Sequence, residues 1–225
     1  MKFFAGVLTA AMIAAPMFAA EKTVTDRLQA ATEDLHEMMQ ASDKGIPQDL
    51  INRASCIVMI PDLKKAGFVV GGEYGAGFFT CRKESGVGWS APGSVKITGG
   101  KFGFLIGGAA TDVIMLVMSK PGMEHLLSNK FKMGGEASAA AGPVGRDASA
   151  MTDAALHAEI LTYSRQRGLY GGLNLAGSAV TQDDTANKEL YGRDISNKEI
   201  VTGDVHAPAS AQAFIHELDR ISSRK

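Results

Sequence analysis

The sequence predicts an α+β domain with a glycine-rich, mainly antiparallel β-sheet or barrel-like core, flanked by N- and C-terminal amphipathic helices. Three observations predict it. Apolar residues recur with helical spacing near both ends of the chain. Between them lie short β-type runs joined by brief turns, which favour antiparallel pairing because a parallel crossover needs a dozen or more residues. Glycine accounts for 26 of 225 residues, well above the usual ~7%. Much of it lies inside the β-type runs, where it marks bulges, tight bends or close backbone approach.

Residues 1–20 read as a secretory signal. Met1-Lys2 is basic, residues 3–18 are apolar or small, and charge begins at Glu21-Lys22. The run is shorter than the ~20 residues that span a bilayer. Either cut, after Ala19 or after Ala20, leaves a large residue (Met17 or Phe18) where a small one is preferred, and an uncleaved anchor is the alternative reading. Residues 21–225 then form one domain, sized to bury roughly 70% of its unfolded surface.

Residues 23–40 are the clearest helix. Val24, Leu28, Ala31, Leu35 and Met38 make one apolar stripe, and Thr23 with Asp26 resembles a capping box. A short second helix is expected near Pro47, through Leu50-Ile51. Residues 56–60 are a strand that Pro61 should end. Residues 67–80 alternate small and large side chains. Residues 95–97, 102–106 and 113–118 are three more strand-like runs. A short helix is expected over 123–130 and a loop or closely packed segment over 137–146. Residues 155–168 are ambiguous, 169–180 return to strand, and 182–188 read as a polar loop. Residues 208–221 close the chain with a helix on Phe214, Leu218 and Ile221. No repeat of 20–50 residues is visible.

Composition narrows the function classes. Lys plus Arg is 23 against 24 for Asp plus Glu, and nucleic-acid binders normally carry a basic excess. A mean hydropathy of +0.02 supports a real core and argues against disorder. The two cysteines, Cys56 and Cys81, lie in separate strand-like runs. They are either a disulfide, if the compartment is oxidising, or two buried thiols.

The motifs of bond-making enzymes are incomplete. His36-Glu37 and His216-Glu217 lack the second histidine of a zinc-protease helix, with Gln40 and Arg220 at that spacing. Gly88-Trp89-Ser90-Ala91-Pro92 misses the nucleophile elbow because Pro92 replaces its second glycine. Gly71-Gly72-Glu73-Tyr74-Gly75-Ala76-Gly77 has neither the dinucleotide-binding spacing nor a P-loop lysine. Asp183-Asp184 through Glu189 lacks the calcium-loop alternation. The sequence therefore implies no catalysis, cofactor or metal, and a hydrolase built on Ser90 or Ser164 is the weakest of the readings weighed.

What remains is a group of polar residues amid apolar or glycine-rich stretches: Asp112, Arg146, Glu159, Tyr163, Ser164 and Arg165. Charges beside buried segments must be paired or face a site. Asp112 or Glu159 with Arg146 or Arg165 would make an internal ion-pair network. Alternatively, one arginine faces outward to grip an anionic head group, which its planar fork suits.

These segments, in order, resemble the SYLF domain family. The resemblance rests on Ile60-Pro61, Lys65-Ala66-Gly67-Phe68, Gly71-Gly72 with Gly75 and Gly77, Gly88-Trp89-Ser90-Ala91-Pro92, Ile106-Gly107 and Asp112-Val113. It continues through Ala140-Ala141-Gly142-Pro143-Val144-Gly145-Arg146, Ala158-Glu159, Tyr163-Ser164-Arg165, Gly168-Leu169 and Tyr191-Gly192. It implies a non-catalytic module, in an exported bacterial member, that binds anionic phospholipid or phosphoinositide-like head groups without metal. Two departures stand out. Leu105 and Ala109 are apolar where the family often has glutamine, and the first helix carries Asp26, Glu33, Asp34 and Glu37 where an anionic membrane favours cations. That helix is expected to pack on its own domain. Candidate contacts for lipid are Lys64, Lys65, Arg82, Lys83, Lys130, Lys132, Arg146 and Arg165. The expected partner is a membrane lipid or an envelope protein of the periplasm or exterior, where actin would be absent. An envelope scaffold of the actin-adaptor type is the alternative.

Overall fold

The first helix, α1 (Val24–Gln40), buries the residues its period selects: Val24, Leu28, Ala31, Leu35 and Met38. Thr23 and Asp26 cap it reciprocally. The Asp26 backbone N–H donates to Thr23 Oγ1 and the Thr23 N–H donates to Asp26 Oδ2, each at 3.1 Å. This computed structural model describes residues 22–40, 45–67, 70–102, 107–144, 153–166 and 169–222. The signal segment, the Leu105 position and Arg146 lie outside them.

Helix α2 (Gln48–Arg53) follows, with Pro47 as its N-cap. Then come four long strands, β1 (Cys56–Gly67), β2 (Val70–Cys81), β3 (Gly93–Phe102) and β4 (Gly107–Val117). Helix α3 (Lys120–Leu126) leads to the short strands β5 (Lys130–Lys132) and β6 (Ala139–Ala141). Next are α4 (Asp153–Leu156), β7 (Ile160–Gln166), β8 (Leu169–Gly172) and β9 (Ala179–Gln182). Helices α5 (Asp184–Tyr191), α6 (Asn197–Thr202) and α7 (Gln212–Ile221) complete the chain.

The strands form one curled sheet in the order β5-β9-β3-β2-β1-β4-β7-β6, with β8 also on β7. All the pairings are antiparallel except β6 with β7. One face, carrying Ile57, Met59, Phe78, Ile114, Leu116, Leu161 and Tyr163, packs under α1 and α7. The other face carries Val58, Ile60, Phe79, Val95, Ile97, Val113, Met115, Phe131 and Val180, which form a second buried cluster. The α+β, predominantly antiparallel architecture is therefore the one the sequence predicts.

Two local expectations fail for physical reasons. Pro61 does not end β1. The strand runs on through a bulge between Met59 and Lys64, which leaves its missing N–H harmless. Residues 182–188 are not a loop: they lead into α5, whose N-cap Asp183 accepts from the Ala186 N–H and whose stop is a left-handed Gly192. Its sequence is polar because much of its surface is exposed. Its anchors are buried amides: the Ser94 N–H donates to Asn187, Asn187 to Asn197, and Asn197 to the Ser94 carbonyl.

Candidate functional site

The bulge in β1 decides which lysines share a face. Asp62 adopts φ 56°, and six residues of β1, from Met59 to Lys64, span what β2 covers in five, from Phe78 to Tyr74. One extra residue reverses the facing of everything beyond it. Before the bulge, Ile57 and Met59 face the helices; after it, Lys64 does so and Lys65 turns to the opposite face.

Register then carries Lys64 across the sheet. Lys64 pairs with Tyr74, Tyr74 with Thr98, Thr98 with Ala179 and Ala179 with Lys132. The adjacent row runs Ala76, Lys96, Thr181 and Lys130. Paired residues of neighbouring strands project to one side, so Lys64, Lys96, Lys130 and Lys132 share the helix-bearing face. Four strand spacings set Lys64 and Lys132 roughly 19 Å apart. Tyr74 stands between them, 46% exposed. Lys64, Lys130 and Lys132 are exposed and make no ion pair among the described residues. Glu136 accepts from the Lys132 backbone N–H at 2.7 Å, so one carboxylate borders this face.

Beside Tyr74 the face deepens into a cleft of about 310 Å³ between the start of α1, β3 and α5. Lys22, Arg27 and Lys96 line it with Thr23, Thr185, Asp183 and Glu189. Lys96 Nζ lies 2.9 Å from Asp183 Oδ1, and Lys22 pairs with Asp62. Sequence reasoning missed Lys96, although its place between Val95 and Ile97 marks it as the polar-face residue of a period-two strand.

The other candidates go elsewhere. Lys65 pairs with buried Glu73, at 3.8 Å, and Glu73 accepts from Ser178 Oγ. Arg82 lies 3.9 Å above the Trp89 ring and donates to the Ser222 carbonyl and hydroxyl, tying the strand end to the C-terminus of α7. Lys83 sits in the turn region after β2, at the opposite end of that strand from Tyr74.

Arg165 is the centre of a cluster that pins α1 to the sheet. It contacts Asp34 at 2.6 Å, Asp112 at 2.9 Å, and Glu37. Burial first, and the Asp112 carboxylate second, push the Asp34 carboxyl up to about 7, and burial also raises Asp112. Arg165 is thereby occupied internally. The remaining members of the expected network are separate. Glu159 bonds with Ser138, accepting from its backbone N–H and donating its own to Ser138 Oγ. Ser164 Oγ lies 3.3 Å from the Gly171 carbonyl, and Tyr163 is buried against α1, with its ionisation pushed upward by burial.

Cys56 and Cys81, directly opposite on β1 and β2, are disulfide-bonded. Ser90 Oγ donates to the Ala91 carbonyl and accepts from the Cys81 N–H. Neither Ser90 nor Ser164 bonds to a histidine or carboxylate among the described residues. No group of three or more His, Cys, Asp or Glu side chains there could hold a metal, and no described helix is long and apolar enough to cross a membrane.

Residues 98–221 match the family described as "Ysc84: Las17-binding protein actin regulator". An SH3 domain-containing protein of Schizosaccharomyces pombe is 34% identical over 177 residues, 77% of this chain and 41% of that protein. LAS seventeen-binding protein 3 of Saccharomyces cerevisiae is 30% identical over 181 residues, 79% of this chain and 39% of that protein. SH3 domain-containing YSC84-like protein 1 of Homo sapiens is 31% identical over 183 residues, 81% of this chain and 53% of that protein. The chain thus spans about two fifths to one half of the length of these relatives. With its bulged glycine-rich sheet, helical flanks and family match over more than half its length, this chain belongs to the Ysc84, or SYLF, family.

Proposed function

We propose that this domain is a non-catalytic lipid-binding module of the cell envelope, exported by its N-terminal segment, whose basic sheet face docks on anionic phospholipid head groups. The observation that carries the reading is the alignment of Lys64, Lys130 and Lys132 around exposed Tyr74 on one face. Each exposed cation near an anionic surface contributes about 1 kcal/mol, and an amphipathic ring suits the interface between head groups and water. The Cys56–Cys81 disulfide supports an oxidising compartment. The test is vesicle co-flotation of residues 21–225 with zwitterionic and with anionic lipid. Flotation is expected only with anionic vesicles, weakening as salt rises. Absence of flotation with either lipid would end the reading.

A second reading, an adaptor that binds a protein, is favoured by the family description, which names Las17 binding and actin regulation. It fits the groove of about 490 Å³ beside Trp89, Val205 and Ile215. A saturable envelope protein that binds residues 21–225 equally well when Lys64, Lys130 and Lys132 are replaced would favour this reading over lipid.

A further inference from the structure

The two ends of the sheet are finished differently. At one end, the edge strand β5 carries exposed Lys130 and Lys132, and the Lys132 backbone is already used. Its N–H donates to Glu136 Oε2 at 2.7 Å, and its carbonyl accepts from the Glu136 and Ala137 N–H groups. Charge and turn together close that edge to further pairing. At the other end, β6 and β8 run end to end along the outer side of β7. Ala139–Ala141 lies beside Ile160–Thr162, and Leu169–Gly172 beside Tyr163–Gln166. A Cβ on Gly172 would stand 2.7 Å from Ala141 Cβ, so the two strands abut. Neither contains a charged residue or a proline. Each pairs with β7 alone among the described residues. The side-chain bonds they accept, from Thr162 Oγ1 to the Ala140 carbonyl and from Ser164 Oγ to the Gly171 carbonyl, also come from β7. Helix α4 packs on β6, so β8 is the open stretch of this edge.

The side chains of β8 complement a copy of themselves. Leu169 is the most exposed large apolar side chain among the described residues, at 76%. Gly172 pairs with Tyr163, which faces α1, and Gly171 with Ser164. Leu169 and Gly171 therefore share the side of the sheet away from α1. A Cβ on Gly171 would meet nothing within 4 Å, so the surface there is bare. A two-fold pair brings the same strand of each copy together antiparallel, and side chains keep their faces only in an even register. Centred on Tyr170, that register sets Leu169 opposite Gly171 of the second copy and Gly171 opposite its Leu169. Cross-strand pairs are the unit of sheet stabilisation. Here an uncovered leucine meets a bare glycine on each side of the axis, and no charge on either strand opposes the approach.

We propose that the β8 edge is a self-association surface, on which a second copy of this chain pairs antiparallel about a two-fold axis at Tyr170 and continues the sheet. The outward N–H and C=O groups of Leu169–Gly172 then exchange hydrogen bonds across the axis, and each Leu169 covers the glycine facing it. The shortness of β8 makes the dimer reversible rather than obligate. The inference is independent of what the basic face binds, because β8 and the lysines of that face lie at opposite ends of the strand order.

The experiment uses residues 21–225, which hold every described element. Sedimentation velocity from about 5 to about 500 μM is expected to show a monomer–dimer equilibrium with a micromolar dissociation constant. Leu169→Lys charges an exposed position on the edge and should raise that constant at least about tenfold. Val87→Lys makes the same kind of change at another exposed apolar residue, in the turn between β2 and β3, and should leave it unchanged. A crosslink then tests the register. Residue 170 faces itself across the axis at about 4.5–5.5 Å between Cα atoms, within disulfide reach. Tyr170→Cys should therefore form a covalent dimer on mild oxidation, and Val87→Cys should not. Circular dichroism confirms that each variant is folded. A monomer throughout the concentration range, a dimer indifferent to Leu169→Lys, or a Tyr170→Cys protein linked no more readily than Val87→Cys would overturn the proposal.

Discussion

Asp62 holds a left-handed backbone conformation, with φ 56°, and its N–H donates to Asp112 Oδ1 at 3.2 Å. The extra residue at this bulge needs space on the neighbouring strand, and two glycines supply it. A Cβ on Gly75 would come within 2.6 Å of Ile60 Cγ2, and one on Gly77 within 2.0 Å of the Met59 carbonyl oxygen. The second contact is with backbone, which has nowhere to move. Gly77→Ala should therefore destabilise the domain by about 3 kcal/mol, the upper range for overpacking, read as a lower midpoint in urea. A loss under about 0.5 kcal/mol, within the range of ordinary surface substitutions, would mean the bulge is not held in place by this contact. Here the sequence was partly legible: glycine within a strand signals a bulge or close approach. It did not reveal whether Lys64 or Lys65 faces outward, because a single inserted residue exchanges them and alternation alone does not locate the insertion.

At the scale of elements, α1 was legible throughout, since its stripe of five apolar positions matches its buried face. Its acidic side was harder to interpret. Asp34 and Glu37 converge with Asp112 on Arg165, a contact 131 residues away in sequence from Asp34 that no local pattern encodes. The docking of α1 should respond to pH. The Asp34 carboxyl titrates near 7 in the folded protein against 3.8 as its ordinary value, so the folded state holds this proton more tightly than the unfolded chain. The resulting stabilisation is complete below pH 3.8 and is lost as pH rises through about 7. Between pH 5.5 and 8 the melting midpoint should fall. Asp34→Asn, which cannot ionise, should flatten that fall and exceed the natural protein in stability at pH 8. Equal slopes in both proteins would show that Asp34 is not the group responsible. The short elements were the least legible. Strand β5 has three residues, and α5 is a polar helix positioned by Asn187 and Asn197, whose partners come from β3.

For the molecule as a whole, the disulfide closes a separation of 25 residues at the centre of the sheet. Replacing both Cys56 and Cys81 with alanine should cost about 3 kcal/mol in urea unfolding. No loss would show that the four long strands alone hold the sheet closed. The fold class was legible because periodicity and glycine content are properties of the whole chain. The basic face was not, because it joins β1, β3 and β5 through the register of β2 and β9. Net charge hides it as well: the chain is near neutral, at −1, yet its lysines are unevenly placed.

Position of charge, rather than its amount, is therefore the quantity to measure. Two triple variants lower net charge equally, one on the face (Lys64, Lys130 and Lys132 to Gln) and one away from it (Lys83, Lys120 and Lys198 to Gln). Their affinities for anionic vesicles at a fixed salt concentration provide the comparison. Roughly a hundredfold loss is expected for the first, from about 1 kcal/mol per lysine, and a loss of less than about threefold for the second. Equal losses in the two variants would contradict it.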